Sequence, residues 1–451
     1  MPLRAPHPDA IADCVLAAFN KLPAKFKPRA LAKGGRESVP LAGIVLCRNI
    51  ETAEHGPRSS QSANGTYGAA HDDKGKGFSG LTCVSLATGM RCLPQSKLAQ
   101  VTGNVLHDWH AEILAIRGFN RWVLEECLEL ARAGEEKQNG EWVAWRKAAE
   151  SPSGLKSQDS MPSNEATTKT SAEPTTLSQP FTLRPGISIH MYISQAPCGD
   201  ASMELLMSRQ PSSEPWTHAA PSADPDDMLG RGHFDQLGVV RRKPSRPDAP
   251  VTASKSCSDK LAMKQATGLL SGIVSGLVRP EGSYVESLVL PEKEIVREAV
   301  ERCWGVEGRM NELRDMEERA GMKFTAFRVE ATSRLFAYAA PDEGAVGSNL
   351  SALWTPRKSE VLINGVLQGR KQFDPKGASC VSRREMWKLA REVAEASCVR
   401  ETREALREAT YAGVKRAMRG ERAKTKDEVK KTALKGWRTN GRDEDWGLED
   451  V

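Results

Sequence analysis

The amino-acid sequence predicts a mixed α/β fold in which a sheet is flanked by helices. Residues 41–47 and 80–89 are apolar runs of strand length, and residues 187–193 alternate apolar and polar side chains as a strand does. Residues 109–133 keep one face apolar at helical spacing. Strands and helices that alternate along a chain pack into layers, so these segments together predict the α/β class. From residue 383 onward the sequence predicts an additional helical part.

The other elements follow from the same patterns, taken in chain order. Residues 9–22 carry apolar side chains at helical spacing behind Asp9, a residue suited to the N-cap. Further along we expect a strand at 236–240, a helix at 259–278, strands at 284–290 and 324–329 separated by a helix at 292–303, and a strand at 359–364.

Two polar stretches interrupt this pattern. Residues 150–184 are rich in Ser, Thr, Pro and Gln, and residues 208–232 are polar and rich in Pro. Segments with so few apolar side chains cannot bury a core, so we interpret both as disordered insertions. Because the candidate site residues lie on both sides of them, we predict one domain over residues 1–451 rather than two domains joined by a linker.

The composition excludes several classes of protein. Ten Cys among 451 residues are too sparse for a disulfide scaffold. No stretch reaches the ~20 apolar residues of a membrane span, and the N-terminus lacks the apolar core of a secretory signal. These features favour a cytoplasmic or nuclear protein with no membrane contact. The net charge of +6 permits a polyanionic partner without requiring one, and no obligate protein partner is evident from the sequence.

The most informative residues are one His, one Glu and two Cys. His110 and Glu112 lie in the first turn of the helix predicted at 109–133, Cys198 follows His110 by 88 residues, and Cys257 lies a further 59 residues on. His nitrogen and Cys thiolate bind zinc, and three protein ligands leave a tetrahedral position for water. Zinc lowers the pKa of such a water, and Glu112 is placed to move its proton. We also expect each cysteine to head a helix, since helix N-termini favour the thiolate.

Each of these motifs is weak when taken alone. His-x-Glu and Pro-Cys are common pairs, and a purely structural zinc would have a fourth protein ligand. A second cysteine three residues after Cys198 is absent, because Ala201 stands there. Cys92 and His107 remain as candidates for a fourth ligand, so spacing alone leaves the structural alternative open.

Three motifs resemble the adenosine-deaminase domain shared by the ADAR editing enzymes and the eukaryotic tRNA adenosine deaminases. They are His110-Ala-Glu112, Pro197-Cys198-Gly-Asp-Ala-Ser and Ser256-Cys257-Ser-Asp-Lys260. The resemblance covers nearly the whole chain and implies a cytidine-deaminase-like fold. The wide separation of the two Cys motifs distinguishes this group from the compact cytidine and bacterial-type tRNA deaminases. No double-stranded-RNA-binding domain precedes the motifs, which favours the tRNA branch.

The resemblance implies an enzyme that converts adenosine to inosine in tRNA, at the adenosine immediately 3′ of the anticodon of alanine tRNA. His110, Cys198 and Cys257 would hold zinc, and Glu112 would shuttle protons during attack on adenine C6. Arg91, within a Gly-Met-Arg-Cys segment, would contact RNA phosphate, with an ordinary surface arginine as the alternative. The alternative functions are editing of other structured RNA and non-catalytic RNA binding by a pseudoenzyme.

The family also buries inositol hexakisphosphate in its core. Burial of so highly charged an anion requires many Lys, Arg and hydroxyl donors. Two sets of residues match the family's pattern, a relay towards the metal and a cage around the cofactor. They are Asp108 and Lys260 for the relay, and Trp387, Tyr411, Lys415 and Trp437 for the cage. The segments Met263–Gln265 and Gly268–Ser271 depart from the pattern, so the resemblance leaves this cage incomplete.

The C-terminal part is strongly basic. Fourteen Lys or Arg residues lie between Arg400 and Arg442. This run has three overlapping interpretations: a solvated helix face, donors for the polyphosphate cage, or a track for the tRNA backbone. Phosphate contacts give affinity without choice of sequence. We therefore expect the target adenosine to be chosen by flipping out of the anticodon loop into the pocket.

Overall fold

The computed structural model confirms the mixed α/β class. The described residues are 5–32, 35–48, 80–134, 137–146, 179–209, 212, 214, 229–230, 232–243, 250–340, 346–418, 420–439, 441 and 443–449. Most of the two predicted insertions therefore lies outside the described residues. The insertion predicted at 150–184 is too long, because residues 181–183 form a strand, and the one predicted at 208–232 begins on the last residue of a short helix.

Eight strands form one mixed sheet, and two further strands pair separately. In chain order the strands are β1 (Leu41–Arg48), β2 (Leu81–Thr88), β3 (Val143–Trp145), β4 (Phe181–Leu183), β5 (Ile187–Ile193), β6 (Val285–Pro291), β7 (Arg328–Thr332), β8 (Leu350–Trp354), β9 (Ser359–Ile363) and β10 (Val366–Leu367). The order across the large sheet is β10-β9-β8-β2-β1-β5-β6-β7. The pairs β5–β6 and β6–β7 are parallel, and the other pairs are antiparallel.

Helices lie on both faces of this sheet and continue beyond it. They are α1 (Pro8–Asn20), α2 (Ala111–Arg132), α3 (Met203–Ser208), α4 (Cys257–Thr267), α5 (Arg297–Trp304), α6 (Arg383–Ser397), α7 (Arg400–Leu406), α8 (Tyr411–Ala417) and α9 (Gly420–Lys431). The last four confirm the predicted helical C-terminal part. In the described part of the chain, no helix is long and apolar enough to span a membrane.

The alternation of side chains along β1 divides the interior into two cores. Ala42, Ile44 and Leu46 belong to the core that contains α2, whereas Leu41 and Val45 belong to the core that contains α1. A Cβ on Gly43 would lie 2.5 Å from a methyl group of Val15 in α1. Glycine at this position therefore allows α1 to pack closely on the sheet.

Four predicted elements differ from the observed ones. The helix predicted at 259–278 ends at Thr267, because Gly268 takes a left-handed φ of +63° that ends the helix. The helix predicted at 292–303 begins only at Arg297, after a 3₁₀ turn at Glu292–Glu294. The strand predicted at 236–240 is wrong; the backbone N–H groups of Gly238 within it and of Arg241 just after it bond to side-chain carboxylates. The strand predicted at 324–329 begins only at Arg328.

The start of α1 also differs from the prediction. The ring of His7, rather than Asp9, caps this helix by accepting a hydrogen bond from the Asp9 backbone N–H. The Asp9 carboxylate instead accepts hydrogen bonds from Thr332, the last residue of β7, and from Ser333, which follows it. The acidic side chain thus ties α1 to the end of a distant strand.

Candidate metal centre and active site

The structure brings His110, Cys198 and Cys257 together. One ligand atom from each lies within 4.8 Å of the others, and His110 Nδ1 is 3.8 Å from Cys198 Sγ. His110 is the N-cap residue of α2, and Cys257 is the first residue of α4. Cys198 lies in the loop after β5, five residues before α3 begins, so the prediction that it heads an α-helix is wrong. The three chain segments still converge on one point.

The cluster is suited to a metal cation. The pKa of the Cys198 thiol is held well below its usual range, because the Cys257 thiol donates a hydrogen bond to it and positive charge on Lys243 and His110 lies nearby. The backbone N–H of Cys257 also points at Cys198 Sγ, 3.4 Å away. One thiolate is therefore stabilised even before a metal neutralises it, and a His/Cys/Cys set is a zinc donor set.

The two candidates for a fourth protein ligand are not part of the cluster. His107 Nε2 lies 2.8 Å from the Asp443 carboxylate, and its other nitrogen faces Arg383. Burial lowers the pKa of His107 to about 4, so this ring is a neutral, internally bonded side chain. Cys92 Sγ is 3.7 Å from the Thr252 hydroxyl. In the described part of the chain the cluster holds only three ligand side chains, which is the number typical of a catalytic zinc site.

Glu112 lies in the first turn of α2, beside the cluster. Its side chain is buried, with 4% of the residue exposed. Burial raises the pKa of this carboxyl group above its usual range, although the charge of His110 acts in the opposite direction. A carboxyl group with a raised pKa can both accept and return a proton near neutral pH, as a general acid and base must.

A large cavity adjoins these residues. It has a volume of about 890 Å³, and its lining includes His110, Glu112 and Cys198. The exposed Arg91 and the half-buried Lys97 also line it. A cavity of this size is within the usual range for small-molecule sites. Arg91 lines this cavity, and its contact with an RNA phosphate stays a prediction.

Comparison with known proteins identifies the family. The profile of the adenosine-deaminase (editase) domain matches residues 85–161 and 153–441. The chain belongs to this family. A tRNA-specific adenosine deaminase 1 from Schizosaccharomyces pombe is 33% identical over 85% of this chain and 85% of its own length. The family and enzyme class predicted from the three motifs are therefore confirmed.

Two further relatives are more distant. A tRNA-specific adenosine deaminase 1 from Saccharomyces cerevisiae is 27% identical over 63% of this chain and 59% of its own length. A double-stranded RNA-specific adenosine deaminase from Mus musculus is 24% identical over 46% of this chain and 16% of its own length. The editase domain thus has relatives in both branches that the motifs resemble.

A buried lysine that the sequence did not single out contacts the metal cluster. Lys243 Nζ lies 3.1 Å from Cys257 Sγ and 2.7 Å from the Asp108 carboxylate. Lys260 donates to the same carboxylate oxygen, and Asp108 Oδ1 accepts from the backbone N–H of His110 at 3.0 Å. Burial alone would raise the pKa of Asp108, but the two ammonium groups hold it well below its usual range. A charged chain therefore runs from Lys260 to a metal ligand.

Replacing Lys243 by Met is expected to weaken zinc binding by about 10–100-fold, the usual effect of removing a partner of a metal ligand. The ammonium group stabilises the Cys257 thiolate, and Met keeps the length of the side chain without its charge. Competition with a chromogenic chelator measures the affinity. Lys97→Met, at the cavity mouth, is the matched control and is expected to bind zinc as the wild type does. Equal zinc affinity in the two variants would contradict a role for Lys243 at the ligand.

Two aspartates hold the segment that carries Lys243. Asp200 accepts a hydrogen bond from Gly238 N–H at 2.9 Å, and Asp259 accepts one from Arg241 N–H at 2.9 Å. Each aspartate lies two residues after a cysteine of the metal cluster and is fully buried. Arg302 and Arg309 neutralise them, at 2.9 and 2.7 Å respectively. The two Cys-x-Asp motifs therefore fix the backbone just before Lys243 as well as supplying the thiols.

A second group consists of positive charges in the interior. We define the buried cation cluster as the buried Lys255 and the half-buried Arg117, Lys264, Arg422 and Lys426. Burial and neighbouring cations lower the pKa of Lys255 to about 7 and that of Lys426 to about 8. The pKa of Lys264 is also held well below its usual range by burial and by the charges of Arg422, Lys426 and Arg117. The positive charges of the cluster therefore act against one another.

The predicted cage residues lie around this cluster with different roles. Lys255 Nζ lies 5.7 Å from the centre of the Trp437 ring, and burial raises the pKa of Tyr411, which Arg117 and Arg383 face. The Trp387 indole is already bonded to the Leu406 carbonyl at 2.8 Å, and Lys415 pairs with Glu444. The cofactor contacts predicted for these four residues stay predictions, and the sequence did not single out the five cations of the cluster.

Proposed function

We propose that this editase domain is a zinc-dependent hydrolytic deaminase of adenosine in tRNA, acting on the adenosine immediately 3′ of the anticodon of alanine tRNA. The observation that carries the proposal is the three-ligand cluster of His110, Cys198 and Cys257 with buried Glu112 beside it, at the edge of a cavity of about 890 Å³. The arrangement suits an enzyme better than a pseudoenzyme, because the ligands and the proton carrier are all in place.

The chain's own residues account for the steps of the reaction. His110, Cys198 and Cys257 would hold zinc, which supplies a water of lowered pKa when bound. Glu112 accepts a proton from this water and passes it to adenine N1 as the oxygen bonds to C6. Glu112 then carries the hydroxyl proton to the amino nitrogen, the C6–N bond breaks, and ammonia leaves. Adenosine and water thus yield inosine and ammonia.

Two arguments support tRNA as the proposed substrate: the relatives of this chain, and the free energy needed to move the target base into the cavity. The relative from Schizosaccharomyces pombe, which covers 85% of this chain, is a tRNA-specific adenosine deaminase. A base in an anticodon loop is already partly unstacked, so flipping it into the cavity costs less than extraction from a duplex. Arg91 at the cavity mouth would hold a phosphate of the same loop.

We propose further that the buried cation cluster holds inositol hexakisphosphate. Burial and the neighbouring cations lower the pKa values of Lys264 and Lys426, and a bound anion would offset the free-energy cost of these buried charges. Lys264 comes from the segment that departs from the family's pattern, yet it contributes a cation to the cluster. The departure therefore leaves the cluster basic.

The assay for the proposed function is inosine formation in an alanine tRNA transcript. Purified, zinc-loaded protein is expected to convert the adenosine next to the anticodon, which reverse transcription reads as guanosine. The position at which guanosine replaces adenosine in the sequenced product identifies the target nucleotide. Conversion in a structured RNA but not in the tRNA would favour the alternative of a general editor. Folded, zinc-loaded protein that converts neither RNA would favour the pseudoenzyme.

A further inference from the structure

The mouth of the active-site cavity carries a second structural element beside Arg91. The loop after β10 lies against the turn at residues 95–100, where Lys97 Nζ donates to the Gln372 side chain at 2.9 Å. Gln372 in turn donates to the Asn364 carbonyl at 3.0 Å. Lys97, Asn364 and Gln372 all line the cavity. The loop 368–376 is therefore fixed at the rim by side-chain hydrogen bonds.

This loop carries three exposed cations and one half-buried acid, Asp374, whose carboxylate accepts a hydrogen bond from the Lys376 backbone N–H. Arg370, Lys371 and Lys376 are all exposed. A Cβ on Gly377 would lie 2.9 Å from Arg370 Cβ, so the two ends of the loop are in contact and bring Lys376 next to Arg370. Within the described ranges, no Asp or Glu side chain forms an ion pair with these three residues or with Lys97.

The basic helices of the C-terminus contrast with this loop. On their surfaces, Arg400 pairs with Glu404, Arg407 with Glu395, and Lys424 with Glu421, each at 2.8 Å. Arg422 and Lys426 belong to the buried cation cluster. The sequence analysis considered these C-terminal Lys and Arg residues as a binding surface for the tRNA backbone. Much of their charge is thus neutralised by neighbouring acids or lies in the interior.

We propose that Lys97, Arg370, Lys371 and Lys376 form a phosphate-binding ledge for the RNA backbone beside the adenosine in the active site. The proposal rests on the proposed function and names the surface that its polyanionic substrate uses. Unpaired cations release counterions when they meet phosphates, whereas cations already paired with carboxylates gain little. The ledge adjoins the cavity mouth, so a strand whose base enters the cavity passes directly over it.

The test is the salt dependence of tRNA binding. A triple variant, Arg370→Gln/Lys371→Gln/Lys376→Gln, removes three charges from the ledge. Because each lost phosphate contact lowers the slope of log K against log salt by about 0.7–0.9, we expect the slope to fall by about 2–3. At constant salt, near 150 mM, the Kd for alanine tRNA is expected to rise by at least tenfold, and KM with it.

A matched control removes three paired charges from the C-terminal helices. Arg400→Gln/Arg407→Gln/Lys424→Gln is expected to keep the wild-type slope and Kd. Circular dichroism confirms that both variants fold. An unchanged slope in the ledge variant, or an equal loss in the control, would overturn the ledge.

The two proposals fail separately in this design. A wild-type protein that forms inosine in tRNA, with a ledge variant that keeps its slope, rejects only the ledge. A wild-type protein that binds tRNA with a ledge-dependent slope but forms no inosine rejects the proposed function and retains the ledge as an RNA-binding surface. Absence of tRNA binding by the wild type would reject both.

Discussion

Replacing Glu112 by Gln is expected to lower the rate of inosine formation by about 10³-fold, within the range that general acid–base catalysis supplies. Gln has the size of Glu and can hydrogen bond, but it cannot carry a proton from water to adenine N1. The side chain is buried beside the metal cluster without belonging to it. Zinc content and tRNA affinity are therefore expected to stay at the wild-type level.

Three measurements on one preparation separate the chemical role of Glu112 from a structural one. Single-turnover inosine formation gives the rate, atomic absorption gives zinc per chain, and filter binding gives the Kd for tRNA. Glu125→Gln is the matched control, because Glu125 is a buried carboxylate of the same helix that pairs with Arg121 at 2.7 Å. It is expected to remain within a few-fold of the wild-type rate. A Glu112→Gln rate within tenfold of the wild type would remove Glu112 from the proton-transfer role.

The cluster of candidate metal ligands could be predicted because zinc chemistry restricts ligands to a few residue types and because the three motifs together resemble one family. His110, Cys198 and Cys257 are distant along the chain, but each stands in a short motif that fixes its local context. Lys243 could not be found in this way. It lies 14 residues before Cys257 in a segment without a recognisable motif, and its role follows only from contacts with Cys257 and Asp108.

The fold was predictable where hydrophobic pattern and length agreed. The apolar runs at β1, β2 and β5 and the long amphipathic α2 appear where the sequence placed them. The segment at 236–240 has the apolar residues of a strand, but the N–H groups of Gly238 within it and of Arg241 just after it bond to Asp200 and Asp259. Carboxylates from distant segments accept the hydrogen bonds that a neighbouring strand would otherwise accept. A local sequence pattern does not encode such long-range bonds.

The basic C-terminal run illustrates a different limit of the sequence. Composition gives the number of charges in α9 but not the direction in which each one points. Arg422 and Lys426 are four residues apart, so they lie on one face of the helix, and that face is turned towards Lys264 in the interior. Lys424, between them in sequence, lies on the surface and pairs with Glu421. One helix therefore contributes both to the buried cation cluster and to a neutralised surface.

If the buried cation cluster holds inositol hexakisphosphate, stabilisation by this ligand is expected to decrease as pH rises from about 8 to 10.5. The pKa of Lys426 is about 8 in the ligand-free fold, compared with an ordinary lysine value of 10.5. The pKa of Lys264 is lowered as well. Between these pH values the unfolded chain binds more protons than the fold does, so the free energy of unfolding of the ligand-free protein rises with pH. Lys255, with a pKa of about 7, extends this window downwards, so the full destabilisation by buried charge is present only below about pH 7.

The bound anion removes this destabilisation by neutralising the charges that cause it. Lys426 is surrounded by Arg422, Lys430 and Lys415, with Asp427 as the nearby acid, and Lys264 is faced by Arg422, Lys426 and Arg117. Ionisation of the phosphate groups increases with pH and makes the ligand more anionic, so their own titration cannot create a decrease in stabilisation. A free ligand concentration 1,000-fold above Kd contributes about 4 kcal/mol at the lower pH, and less at the higher one.

A Lys426→Met variant provides the decisive comparison. Because the substitution removes an incompletely neutralised cation, we expect it to raise the melting temperature of the ligand-free protein. We also expect the ligand to raise the melting temperature of this variant by less than it raises that of the wild type. Melting temperatures at pH 7 and pH 10, with and without added inositol hexakisphosphate after refolding, measure both effects. If Lys426 lay on a solvated helix face, the substitution would change neither melting temperature, because the charge of a hydrated lysine does not lower the free energy of unfolding. If the ligand raises the melting temperature of the variant as much as that of the wild type, the anion binds elsewhere. A higher melting temperature of the ligand-free variant, together with a smaller increase on adding ligand, would tie the ligand to this cluster.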